Sequence, residues 1–107
     1  MKTLQLDKPI LNFKGESIPL PEGIMTLRDL YLHYFGIYTS NDGKSVISAY
    51  KLGIAIAGCK EPEIKIENAD FILLKEATQK SQHGALVMGQ LYEELERIEK
   101  AKEEGKV

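Results

Sequence analysis

The sequence predicts an α+β fold, an N-terminal β-hairpin with one further short strand, covered by four helices. Three observations carry this prediction. Short runs near the N-terminus alternate apolar and polar residues with period two. Four later segments repeat apolar residues at three- and four-residue steps. The whole chain, 107 residues, suffices for one modest core. A single domain is expected over residues 1–100, with 101–107 a frayed, charged tail.

Taken in order, Thr3–Leu6 and Leu11–Phe13 alternate as strands do, and Lys14-Gly15 precedes a third short run at Ser17-Ile18, so a hairpin turning near Gly15 is expected. Pro19 and Pro21 lack the N–H that a ladder needs and place this region at an edge or a strand end. Thr26 can cap a helix through Leu27, Leu30, Tyr31, Tyr34 and Phe35 that ends between Gly36 and Tyr38. Thr39–Gly43 is a loop built of turn formers.

A second helix is expected over Lys44–Ala57, with Gly58 as its left-handed C-terminal residue. Pro62 then breaks the chain before a strand at Glu63–Ile66. Asn68 is positioned to cap a third helix. It carries Asp70 in its first turn, Phe71, Leu74 and Ala77 or Thr78 as its stripe, and Ile72 and Leu73 widening that stripe. Gln79–Gly84 reads as a loop. The fourth helix starts near Ala85 and carries Met88, Leu91, Leu95 and Ile98, with Glu93–Arg97 and Glu96–Lys100 in the favoured acid-first order on its exposed side.

Two rows of small residues stand out: Ala49, Gly53 and Ala57 on the second helix, and Ala85 and Gly89 on the fourth. Spacing of four stacks each row on one side of its helix, where another backbone can come close. We expect the two rows to meet inside the molecule; the alternative is an oligomer contact.

Composition excludes several functions. A formal net charge of −2 offers no basic footprint, which argues against nucleic-acid binding. The imbalance sits in the C-terminal part, where residues 61–107 hold eleven acidic against seven basic side chains. A single cysteine, Cys59, cannot form an intramolecular disulfide and fits a reducing compartment. Met1–Asp7 reaches a charge before any apolar leader segment forms, and Leu52–Ala57 is too short to span a bilayer, so a cytoplasmic protein with no membrane association is expected.

The chemical inventory is thin. His33 and His83 belong to no metal-binding spacing, the serines to no nucleophile elbow, and the glycines to no phosphate-binding loop. No catalytic residue, metal ligand or cofactor site is assigned, and an enzyme is disfavoured. The more interesting feature is Tyr31, Tyr34 and Tyr38 at i, i+3 and i+7, beside His33 and Arg28. Such stripes serve more often as core than as binding face, but tyrosine suits both because its ring packs while its hydroxyl stays wet. Arg28, Tyr31, Tyr34 and Tyr38 are therefore the candidate binding residues, with Tyr38 the one expected to be exposed.

The order Leu6–Ile10, Gly15–Ile18, Met25–Leu30, Ala49–Gly53, Ile64–Lys75 and Gly89–Leu95 resembles that of small tailed-bacteriophage accessory proteins. In those, a Leu-Arg-Asp/Glu-Leu helix start, a strand-to-helix joint bearing acids and a C-terminal Gln-x-x-x-x-Leu-Glu helix follow one another. The resemblance implies a phage or prophage origin, with the host cytoplasm as location, and transfers no active residues. Three functions follow as expectations. The first is a non-enzymatic accessory protein that binds a host or phage protein, as a small homo-oligomer. The second is an oligomer that sequesters a host nucleotide signal through Arg28, Tyr31 and Tyr34. The third is an enzyme whose site is not legible in the sequence.

Overall fold

The computed structural model describes residues 1–81 and 83–101. Its elements are β1 (Lys2–Gln5), β2 (Pro19–Leu20), β3 (Gly23–Ile24), α1 (Leu27–Ile37), α2 (Gly43–Gly58), β4 (Glu63–Ile66), α3 (Asn68–Lys80) and α4 (Ala85–Lys100). The fold is α+β with four helices, as the periodicities predict. The tail from 102 to 107 lies outside the described residues.

Strand pairing is where local pattern and fold part. The turn near Gly15 forms: the Asn12 side chain accepts from the Lys14 and Glu16 N–H groups at 2.9 and 3.0 Å, Gly15 takes φ +83°, and Leu11 stands opposite Ser17. Thr3–Leu6, however, is not an arm of that turn. β1 pairs antiparallel with β4, Lys2 opposite Ile66 and Gln5 opposite Glu63, and the Leu6 N–H continues to the Pro62 carbonyl. A period of two says which side chains face the core, here Leu4 and Leu6, but does not say which strand supplies the ladder. Pro19 stands opposite Ile24 in the two-residue pairing of β2 with β3, a short ladder consistent with its missing donor.

Helix α1 begins as its sequence dictates. Asp29 accepts from the Thr26 N–H and hydroxyl at 2.9 and 3.1 Å, and the Leu27 and Arg28 N–H groups donate to the Lys8 and Leu6 carbonyls. Gly36 does not end the helix, which runs to Ile37 and is capped by Tyr38 in extended conformation. Helix α2 starts on Asp42, whose side chain accepts from the Lys44 N–H at 3.1 Å. Its other end corrects the expectation for Gly58. That residue has no positive φ and is the last of the helix; Cys59 follows in extended conformation, and the last carbonyls receive a donor from elsewhere, described below.

Helix α3 starts at Asn68 itself with Glu67 at the cap, one residue earlier than expected, and buries Phe71, Leu73, Leu74, Ala77 and Thr78 while Ile72 faces water. It also extends to Lys80, into the stretch expected as loop. Helix α4 buries Met88, Leu91, Leu95 and Ile98 as its spacing requires. The Glu96–Lys100 pair forms, whereas Arg97 turns to Glu94 rather than Glu93.

The small-residue rows do not meet. Helix α2 packs chiefly on α1 and secondarily on α3. A Cβ placed on Gly53 would lie 3.9 Å from Phe35 Cβ of α1, an ordinary contact. Ala49 is buried, Gly53 half-buried, and Ala57, Ala85 and Gly89 are exposed. Helix α4 is tied instead to the N-terminal segment. Gln90 there accepts from the Leu11 N–H at 2.9 Å and donates to the Leu11 and Leu86 carbonyls at 2.8 Å, an amide completing the bonds a strand would make.

Candidate functional site

The tyrosine face is core. Tyr31 and Tyr34 are fully buried and Tyr38 is 8% exposed, so the expectation that Tyr38 stands in water is corrected. The Tyr38 hydroxyl donates to Glu76 of α3, which raises its pKa, and Lys80 lies 4.8 Å from its ring centroid while donating to the Thr39 carbonyl at 2.7 Å. Gly36 leaves α1 unbroken, so the third phenol stays in register with the first two and packs against α3.

Arg28 is likewise occupied. One guanidinium nitrogen donates to the Ile56 carbonyl at 2.8 Å and to the Cys59 carbonyl; the other donates to the Glu61 carbonyl at 3.1 Å and to Asp7 Oδ1 at 3.2 Å. It supplies the donors that a left-handed Gly58 would have brought, and it places a cation at the negative end of α2. A guanidinium so engaged cannot clamp a phosphate without uncapping that helix. Arg28, Tyr31 and Tyr34 are thus each engaged or buried within the fold.

Two other clusters were not legible in the sequence. The rings of His33 and His83, fifty residues apart in the chain, stack at 5.4 Å with planes 16° apart, and Tyr34 Oη lies 2.8 Å from His83 Nδ1. Burial, with a smaller push from Tyr92, raises the Tyr34 phenol to about 12. Among the described residues no three His, Cys, Asp or Glu side chains are grouped to hold a metal ion.

The second cluster is an ion triad on α4. Buried Glu94 accepts from Lys8 at 3.0 Å and from Arg97 at 2.6 and 3.1 Å. Burial pushes this carboxyl up, but the Arg97 and Lys8 hydrogen bonds and charges together outweigh it and leave it below the ordinary 4.5. A depressed native pKa stabilises the fold above the unfolded value, and that stabilisation is lost as pH falls from about 4.5 through the native pKa. Glu94→Gln is expected to cost about 1–3 kcal/mol at neutral pH and to flatten the fall in stability below about pH 4.5, read from urea midpoints along a pH series.

What the fold leaves in water is a different surface. Between α1 and α2 runs a groove of about 400 Å³ whose lining, including Leu32, Phe35, Gly36, Ala49, Gly53 and Ala57, contains no charged residue. Val46, Tyr50 and Ile54 of α2 belong to this lining and project from it, with Tyr50 68% and Ile54 55% exposed, and Ile47, three residues from Tyr50 on the same helix, is exposed beside them. Phe13, on the Asn12-organised turn, is the most exposed large apolar side chain at 88%. The signal for the α2 face was present in the sequence: residues 43–58 carry only Lys44 and Lys51 as charges and more large apolar side chains than one buried stripe can use. Comparisons with protein-family models, curated proteins and solved structures found no match.

Proposed function

We propose that this chain is a non-enzymatic accessory protein of the tailed-phage kind that acts by protein–protein binding as a small homo-oligomer, with the α1/α2 face as its working surface. One observation carries the reading: the exposed apolar side chains of Val46, Tyr50 and Ile54, with Ile47 beside them on α2, stand at an uncharged groove. Single exposed apolar residues are ordinary, but a contiguous group beside a groove marks an interaction surface. The occupied guanidinium of Arg28 and the buried rings of Tyr31 and Tyr34 weigh against nucleotide sequestration. No helix among the described residues is long and apolar enough to cross a membrane.

A photo-crosslinking side chain at Ile47, on this face, is expected to yield a covalent protein adduct in the cells that make the protein. The same group at Ile72 on α3, which is more exposed than Ile47, is the control. Equal yields at both positions, or no adduct at Ile47, would overturn the reading.

A further inference from the structure

The face carries both halves of a contact. On a helix, residues four apart form ridges, and the commonest helix packing lays such a ridge of one helix into the groove of another at a crossing angle of about −50°. Helix α2 presents two neighbouring rows of this kind. Val46, Tyr50 and Ile54 are large, project and form one wall of the groove; Ala49, itself buried, and Gly53 and Ala57 are small and form its floor beside α1. A row of knobs beside a row of holes on one helix is self-complementary about a two-fold axis, because the rotation that brings one copy's ridge onto its neighbour's groove brings the neighbour's ridge onto its own.

Charge and area agree with a second copy as the occupant. A two-fold contact places like groups near one another, and the lining has no charge to repel; Lys51 lies on the outer flank, in the Ile47–Lys51–Ala55 row, where its stem can carry the ammonium to water. The ridge side chains and the groove walls together expose on the order of 500 Å² per copy. Two copies in full contact therefore approach the roughly 1,000 Å² that a specific contact needs.

We infer that the chain forms a two-fold dimer through α2, the Val46, Tyr50, Ile54 ridge of each copy lying in the other's groove along Gly53 and Ala57. This inference rests on the α1/α2 face being the working surface, and it names the partner there as the chain itself.

The test is solution mass by light scattering and sedimentation equilibrium on the full chain, from about 1 μM to about 1 mM, the range in which weak to moderate self-association is read. The wild type is expected to be a dimer. Tyr50→Glu and Ile54→Lys, at exposed positions that leave the fold intact by circular dichroism, are expected to raise the dimer Kd at least about 100-fold, as central interface residues do. Gly53→Leu, which fills the groove floor beside Phe35 and is held to the same circular-dichroism check of the fold, is expected to do the same. A dimer that persists in the ridge variants or in Gly53→Leu would overturn this geometry. A wild type that stays monomeric to about 1 mM would overturn self-association, and a foreign chain crosslinked at Ile47 in that case would leave the docking face standing with a different partner.

Discussion

Tyr34→Ala is expected to lower the unfolding free energy by about 3–5 kcal/mol, the range for truncating a large buried aromatic. Tyr34 has no exposed surface, so removing its ring leaves a hole between α1 and the start of α4. The truncation also removes the hydroxyl that meets His83 Nδ1 at 2.8 Å and lies 3.6 Å from Met88 Sδ. A chemical-denaturation midpoint reads this directly. A loss under about 1 kcal/mol would mean that the ring is not core.

Tyr31→Phe gives the contrasting result. The Tyr31 hydroxyl is buried with no hydrogen-bond partner among the described residues, and burial raises its pKa. Removing an unsatisfied buried hydroxyl while keeping the ring is expected to leave stability unchanged or raise it by up to about 1 kcal/mol. A marked destabilisation would show that the hydroxyl does have a partner.

Arg28→Ala is expected to cost about 2–4 kcal/mol, because four acceptors lose one guanidinium and the C-terminal carbonyls of α2 lose their cap. Arg28→Lys is expected to recover only part of this, since an ammonium cannot span carbonyls at Ile56, Cys59 and Glu61 as a planar fork does. Amide exchange in the last turn of α2 would rise in both variants, more in the alanine. If stability were unchanged in Arg28→Ala, the arginine would be free for a ligand after all, and the nucleotide-binding reading would regain its cation.

Much of the fold was legible because its signals are local. Thr26 and Asp29 box the start of α1 through contacts three residues apart, Asp42 lies in a run of turn formers, and the stripes of α3 and α4 repeat at the helical period. Such features depend on backbone geometry within one turn of helix, which any reading of spacing captures. Where expectation failed, the deciding partner was distant. Gly58 has the composition of a left-handed cap, yet Arg28, thirty residues earlier, removed the need for one. Tyr38 follows a glycine that could have ended the helix, yet Glu76 and Lys80 hold it in place.

The candidate site shows the same division more sharply. The sequence by itself determined that four amphipathic segments and a few short strands make one α+β domain, that two helices carry rows of small residues, and that the second helix is apolar on more sides than one core contact uses. Only the tertiary structure decided which of those surfaces became interior. By pinning Leu11 to Gln90 and Lys8 to Glu94, it set α4 against the N-terminal segment and kept its Ala85/Gly89 row away from α2. It paired β1 with β4 across some sixty residues and buried Tyr31, Tyr34 and Tyr38 of α1. Periodicity specifies that a face is apolar; which apolar face is buried depends on contacts between segments far apart in the chain, and those are settled by the packing of the whole domain.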